Sequence, residues 1–201
     1  MTDTRRRLID AGFELFSHHG FHAVGLDSIL REVGVSKQTF YNHFESRDDL
    51  VLQVLRFRDD WEMGVWRERL RALAGEGPRE RLYALFDVLD AYFNAPEFRG
   101  CIFITAAAEF VSPADPAHQV AAAHVRALQQ FIFDLADAAG ADDPQSLAEQ
   151  LTLLIQGAIV LRHVTGNDRA ADIARHNAET LLDRDLPPLP GPALRRDALR
   201  S

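Results

Sequence analysis

The sequence predicts an all-α chain in two parts, three short N-terminal helices followed by a larger helical region. Three observations lead there. Apolar residues recur at intervals of three and four along almost all of the 201 residues. No stretch alternates with period two for long enough to make a strand. A Gly/Pro-containing break, AGEGP at 74–78, divides the helical pattern into two regions.

The elements follow in order. A first helix is expected over about Thr4 to His19, with Leu8, Ala11, Phe13, Leu15 and Phe16 on its core face and Gly20 as its stop. After a connector beginning at Phe21, a second runs from about Leu26 to Glu32, turning Ile29, Leu30 and Val33 inward, and ends at Gly34. Ser36 is placed to cap a third, Lys37 to Phe44, and the S-x-x-D box of Ser46 and Asp49 opens a long fourth through Leu50, Val54, Phe57, Trp61 and Val65 toward Leu73. Beyond the break, apolar spacing resumes through Leu82, Leu85, Phe86, Leu89 and Phe93, with further helices expected over Gly100 to Val111, Ala117 to Ala139, Pro144 to Val164 and Asp168 to Arg184. The tail at 185–201, with PPLPGP inside it, is expected to be mobile.

Composition narrows the function classes. No apolar run approaches the roughly 20 residues that cross a bilayer, and the N-terminal MTDTRRRLIDAGFELF enters an amphipathic helix instead of a signal-peptide core, so a cytoplasmic protein with no membrane partner is expected. One cysteine, Cys101, excludes an internal disulfide. The eight histidines form no H-E-x-x-H pattern, and there is no Gly-rich phosphate loop and no G-x-S-x-G elbow. The reading is therefore not an enzyme, with no cofactor and no catalytic residue. A metal set of Glu109, His118 and His124 can be drawn, but its spacing is unspecific, and no metal is expected. The formal charge of -8 excludes a protein that coats nucleic acid through its overall field, and even residues 1–50 carry six Lys/Arg against eight acids.

Local chemistry points elsewhere. Two short helices joined by a tight glycine turn form the device that lays a second helix into the DNA major groove. The third helix suits that role because only Phe40 and Phe44 clearly face inward, while Lys37, Gln38, Thr39, Tyr41, Asn42 and His43 can all make polar contacts. Gln38, Thr39 and Asn42 match base edges, and Lys37, Tyr41, His43 and Arg47 match phosphates. The Arg5-Arg6-Arg7 run reads equally as a phosphate or minor-groove arm and as a solvated cluster.

These residues also carry a resemblance. Gly20-Phe21 through Ile29, Gly34-Val35-Ser36-Lys37-Gln38-Thr39-Phe40-Tyr41-Asn42-His43-Phe44 and Ser46-Arg47-Asp48-Asp49-Leu50 together resemble the DNA-binding signature of TetR-family regulators. Two departures stand out: Val24 and Gly25 occupy the place of the usual capping Thr or Ser, and Arg47 replaces the usual Lys. The segment from Phe98 to Glu109 is similar to one found in a branch of TetR-type C-terminal domains. The resemblance implies a two-domain repressor fold with an inducer pocket in the C-terminal domain and dimerisation through the last two helices. The domains expected are a helix-turn-helix at 1–46 and a helical ligand-binding and dimerisation domain at 47–184.

The partners expected are operator DNA, a second copy of the chain and a small-molecule inducer. The helix at 144–164 is apolar nearly all round in LTLLIQGAIVL and would pair with 168–184 across a two-fold axis. For the inducer, Phe86, Phe103 and Phe131 are candidate walls, among other aromatics that a plain core needs equally; Tyr92 is one of these. Glu109 and Gln156 are candidate polar anchors, with His163 a third possibility. A C-terminal domain that only dimerises remains the alternative.

Overall fold

The computed structural model describes residues 3–96 and 98–188, which fold into α-helices joined by short turns. The N-terminal unit is α1 (Asp3–His19), α2 (Leu26–Val33) and α3 (Lys37–Tyr41); α4 (Arg47–Ala74) leads out of it. There follow α5 (Pro78–Phe93), α6 (Ile102–Glu109), α7 (Pro116–Ala138), α8 (Pro144–Thr165) and α9 (Ala170–Asp185). Among the described residues there is no strand.

Local signals set most helix ends. Gly34 takes the left-handed conformation at φ 71° and returns its N–H to the Leu30 carbonyl, which turns the chain sharply after α2. The Ser36 hydroxyl accepts from the Thr39 N–H at 3.1 Å and starts α3. The Ser46 hydroxyl accepts from the Asp49 N–H at 3.0 Å, and Asp49 reaches back to the Glu45 N–H at 3.1 Å, one residue earlier than in the usual box. α3 is shorter than expected. It closes at Tyr41 with Asn42 as its cap, and Phe44 reaches the core through a turn, its ring stacked on Phe40 at 5.3 Å. At the other end, Leu186 is buried and the Pro187 carbonyl accepts from Arg79, so packing extends into the segment expected as a tail; that tail from 189 onward lies outside the described residues.

α4 is the element common to both halves. Its 28 residues span about 42 Å at a rise of 1.5 Å each. Near its start it meets α1 at close range, where a Cβ on Gly12 would lie 3.1 Å from the Val54 side chain. Further along it packs on α5 and α7, and α5 and α7 join α8 and α9 in the C-terminal bundle. Buried residues from α1 through Leu186 form one continuous apolar cluster.

A second connection between the halves lies at the α1–α2 turn. Phe21 is fully buried, stacked on Phe16 at 5.0 Å and edge-on to Phe110, just after α6, at 5.5 Å. Gly20 holds φ at +79°, and a Cβ there would come within 2.5 Å of a Glu109 carboxylate oxygen. Gly20→Ala is therefore expected to lower stability in urea unfolding by about 1–2 kcal/mol from backbone strain alone, and by more as the Glu109 side chain is displaced.

Candidate nucleic-acid interface and interdomain cavity

The α3 face presents the polar set that the sequence singled out. Lys37, Gln38, Tyr41 and Asn42 are exposed, Thr39 and His43 are half-buried, and Phe40 and Phe44 anchor the element from behind. Tyr41 is an aromatic side chain left 54% open to solvent, an arrangement that the core does not require. The Gln38 amide donates to the Asn42 side-chain oxygen at 3.3 Å, and the Ser36 and Thr39 hydroxyls are paired at 3.0 Å, so these groups are held in register before any contact is made. Lys37 pairs with Asp27 across the turn at 3.0 Å; the hydrogen bond to that carboxylate, with its charge, raises the lysine pKa.

The arginines expected at phosphates make contacts within the protein. Arg47 is turned inward: its guanidinium donates to the carbonyls of Val24, at 2.8 Å, and Phe21, and pairs with Asp48. It thereby ties the start of α4 to the connector before α2, where Gly25 supplies no capping side chain. Arg7 donates to the Val33 carbonyl at 2.7 Å, Arg6 pairs with Asp10, and Arg5 donates to Gln53. Arg7 thereby joins α1 to α2 and Arg5 joins it to α4, while Arg6 and Arg7 remain exposed to solvent.

Glu109, expected as an anchor for ligand, is bound to the turn after α1. Its carboxylate accepts from the backbone N–H of Phe21 at 2.9 Å and of His22 at 2.7 Å, and lies 2.8 Å from the His22 ring nitrogen Nδ1. Burial would raise its pKa; the two amides and the His22 ring outweigh that and hold the carboxyl below its ordinary range. The residue is a clasp between α6 and the N-terminal unit.

A cavity of about 310 Å³, at the small end of ligand sites, lies between the halves. α1 contributes Phe13, Glu14 and Ser17; α4 contributes Arg58, Trp61, Glu62 and Trp66. α5 adds Val88 and Tyr92, the start of α6 adds Cys101 and Ile102, and α7 and α8 add His124, Leu128, Ile155 and Gln156. Of the five ligand residues expected from sequence, the structure brings Gln156 to this cavity. Phe86 and Phe103 are fully buried in the core, Phe103 stacked behind His124 with ring centroids 3.7 Å apart. Phe131 packs under Arg67, and Glu109 is at the clasp. His163 packs against Gly100.

The polar chemistry of the cavity comes instead from α4 and α7. Arg58 and Glu62 are paired at 3.2 Å, and His124 is held by Asp59 at 2.8 Å. Burial pushes the Cys101 thiol up to about 12, with the Glu62 charge adding to it, which leaves little thiolate for chemistry. Among the described residues no three His, Cys, Asp or Glu stand together as a metal set: His118 is bound to the Phe110 carbonyl, away from His124 and its Asp59. No helix of the described residues is long and apolar enough to cross a membrane.

Known proteins share this architecture. The family model described as bacterial regulatory proteins, tetR family, matches residues 8–54, and one described as tetracyclin repressor-like, C-terminal domain, matches 78–178. The transcriptional regulator YjdC of Escherichia coli is 22% identical over 178 residues, covering 89% of this chain and 93% of its own. The crystal structure of SCO4454, a TetR-family regulator of Streptomyces coelicolor, agrees with a TM-score of 0.81 at 28% identity over 90% of this chain and 95% of that one. A regulator of the same kind from Streptomyces avermitilis gives 0.78 at 30% identity over 92% and 98%.

The clasp gives a signed pH dependence. Because the folded carboxyl of Glu109 titrates below its ordinary value of 4.5, its contribution is complete above about that pH and is lost as pH falls through the lowered value. Thermal or urea unfolding is expected to show wild type about 1–3 kcal/mol more stable than Glu109→Gln near neutrality, with the difference shrinking steadily in acid.

Proposed function

This chain belongs to the TetR family of DNA-binding transcriptional regulators, and from its geometry we propose a homodimeric cytoplasmic repressor that leaves a palindromic operator when a small molecule enters the interdomain cavity. The observation that carries this reading is the shared cavity wall: α1 of the reading head supplies Phe13, Glu14 and Ser17 beside α4 and the C-terminal helices. A molecule that fits there touches the reading head directly, and any difference in its affinity for two head orientations shifts their populations.

On DNA, Gln38, Thr39 and Asn42 read base edges, while Lys37, Tyr41 and His43 hold phosphates. Arg47, spent on the Val24 and Phe21 carbonyls, supports this surface from behind and gives the phosphate role less support than the sequence did. Two heads about 34–36 Å apart fit successive major grooves on one face of the duplex. The face that joins them is on α8 and α9, where Leu153 and Val164 are each 73% exposed and Val160, Leu161 and Ile173 lie open beside them. Gly157 has open space in front of it, which admits a close partner helix. An apolar patch of this kind on two adjacent antiparallel helices suits a four-helix interface across a two-fold axis.

DNA selected from a random pool is expected to yield one palindrome. Lys37→Ala should flatten the slope of log affinity against log salt by about 0.9 for each phosphate that the lysine neutralises. Asn42→Ala should cost about 1–3 kcal/mol at one base position while leaving binding to random DNA unchanged. Selection that enriches no sequence would refute the operator reading. In sedimentation, the double variant Leu153→Glu/Val164→Glu should run as a folded monomer; a dimer as stable as wild type would place the interface elsewhere.

A further inference from the structure

Glu62 is the under-served charge of the cavity. It is largely buried, and among the described residues the one hydrogen bond it receives is from Arg58 to Oε1 at 3.2 Å, although a carboxylate can accept about four. Tyr92, nearby, is turned to another acceptor. The Tyr92 hydroxyl donates to the Gly100 carbonyl at 2.8 Å, and the Cys101 thiol is buried. Burial accordingly raises the Glu62 pKa against the pull of Arg58.

The surroundings show what such a carboxylate accepts. The Arg58 guanidinium lies between two rings, 3.8 Å from the centroid of Phe13 and 4.2 Å from that of Trp61. It is a resident organic cation in an aromatic slot, facing a carboxylate. Beyond it, Trp66 and Tyr92 offer further ring surface, with Val88 and Ile155 completing an apolar wall. An anion would meet the carboxylates of Glu62 and, behind His124, Asp59, whereas an ammonium can share Glu62, which keeps acceptor sites beyond the one that Arg58 fills. Arg69 and Arg99 at the rim are solvated and screened. Two buried atoms, Arg58 Nε and Ser17 Oγ, have no partner among the described residues and call for a neutral acceptor on the same molecule.

We propose that the cavity takes a small organic cation, a protonated amine on one ring that also carries an uncharged oxygen, with the ammonium on Glu62 and the ring against the aromatic wall. The inference rests on the cavity being the effector site of the regulator. It gives entry of the ligand a direct consequence, because an ammonium on Glu62 competes with Arg58, whose guanidinium bears on Phe13 of α1.

Calorimetric titration of the full-length protein with three molecules alike except for the arm tests this: tyramine, tyrosol and 3-(4-hydroxyphenyl)propionate. Tyramine is expected to bind about tenfold or more tightly than the other two, and Glu62→Gln is expected to abolish that preference. Equal affinities, a preference for the alcohol or the acid, or no binding by any of the three would overturn the proposal. Operator titration of the same preparation separates the two levels. Intact operator binding with the wrong charge order sinks the ligand class alone, whereas absence of sequence-specific DNA binding sinks the reading on which it rests.

Discussion

The carboxylate of Glu109 accepts two consecutive backbone amides, and that fixes how the N-terminal unit meets the C-terminal helices. Backbone amides in the turn after a helix need acceptors if they are to leave water. Here the acceptor for Phe21 and His22 comes from another element, the end of α6. Phe21 beneath it is clamped between Phe16 and Phe110, so the polar clasp and the apolar joint reinforce each other. Gly20 is the residue that lets the carboxylate approach so closely. Without this contact α4 would be the main mechanical link, and a helix attached at one end leaves the reading head free to swing.

With both links in place, the cavity lies between them. Its α1 wall belongs to the reading head, its α4 wall to the connecting helix, and the remainder to the bundle. The ion pair of Arg58 and Glu62 and the His124–Asp59 pair lie on or reach α4 at this level. Buried pairs of this sort add little net stability, because desolvation offsets their attraction. They do make the local packing sensitive to any new charge, a property useful to a switch.

Most of the fold was legible because its signals are local. Ser36, Ser46 with Asp49, Gly34 and the helical spacing of Leu8 and Phe16 act within one or two turns, and the helices begin and end where those residues say. α3 ended early because Phe44 must reach the core by a turn to stack on Phe40, which helical spacing alone does not reveal. The polar face of α3 was legible for the same local reason. The cavity was not. Arg58 and Glu62, four residues apart, look in sequence like a solvated surface pair. Glu109 stood out as a polar group among alanines, but its partners are 87 and 88 residues away, and no local pattern points to them. Phe86, Phe103 and Phe131 suit a ligand wall by their chemistry, but helix phase turns them elsewhere and brings Val88 to the space beside Tyr92 and Gln156, which the sequence does single out.

If the clasp holds the reading heads of the proposed dimer at a set separation, the distance between the two heads reports it directly. A spin label at Gln38→Cys on each subunit, with buried Cys101 left unlabelled, reports it by pulsed dipolar spectroscopy. The account predicts one narrow distance distribution in the wild-type background, compatible with heads about 34–36 Å apart, and a clearly broader one when Glu109 is replaced by Gln. Equally narrow distributions in both proteins would show that the clasp does not set the heads and would contradict it.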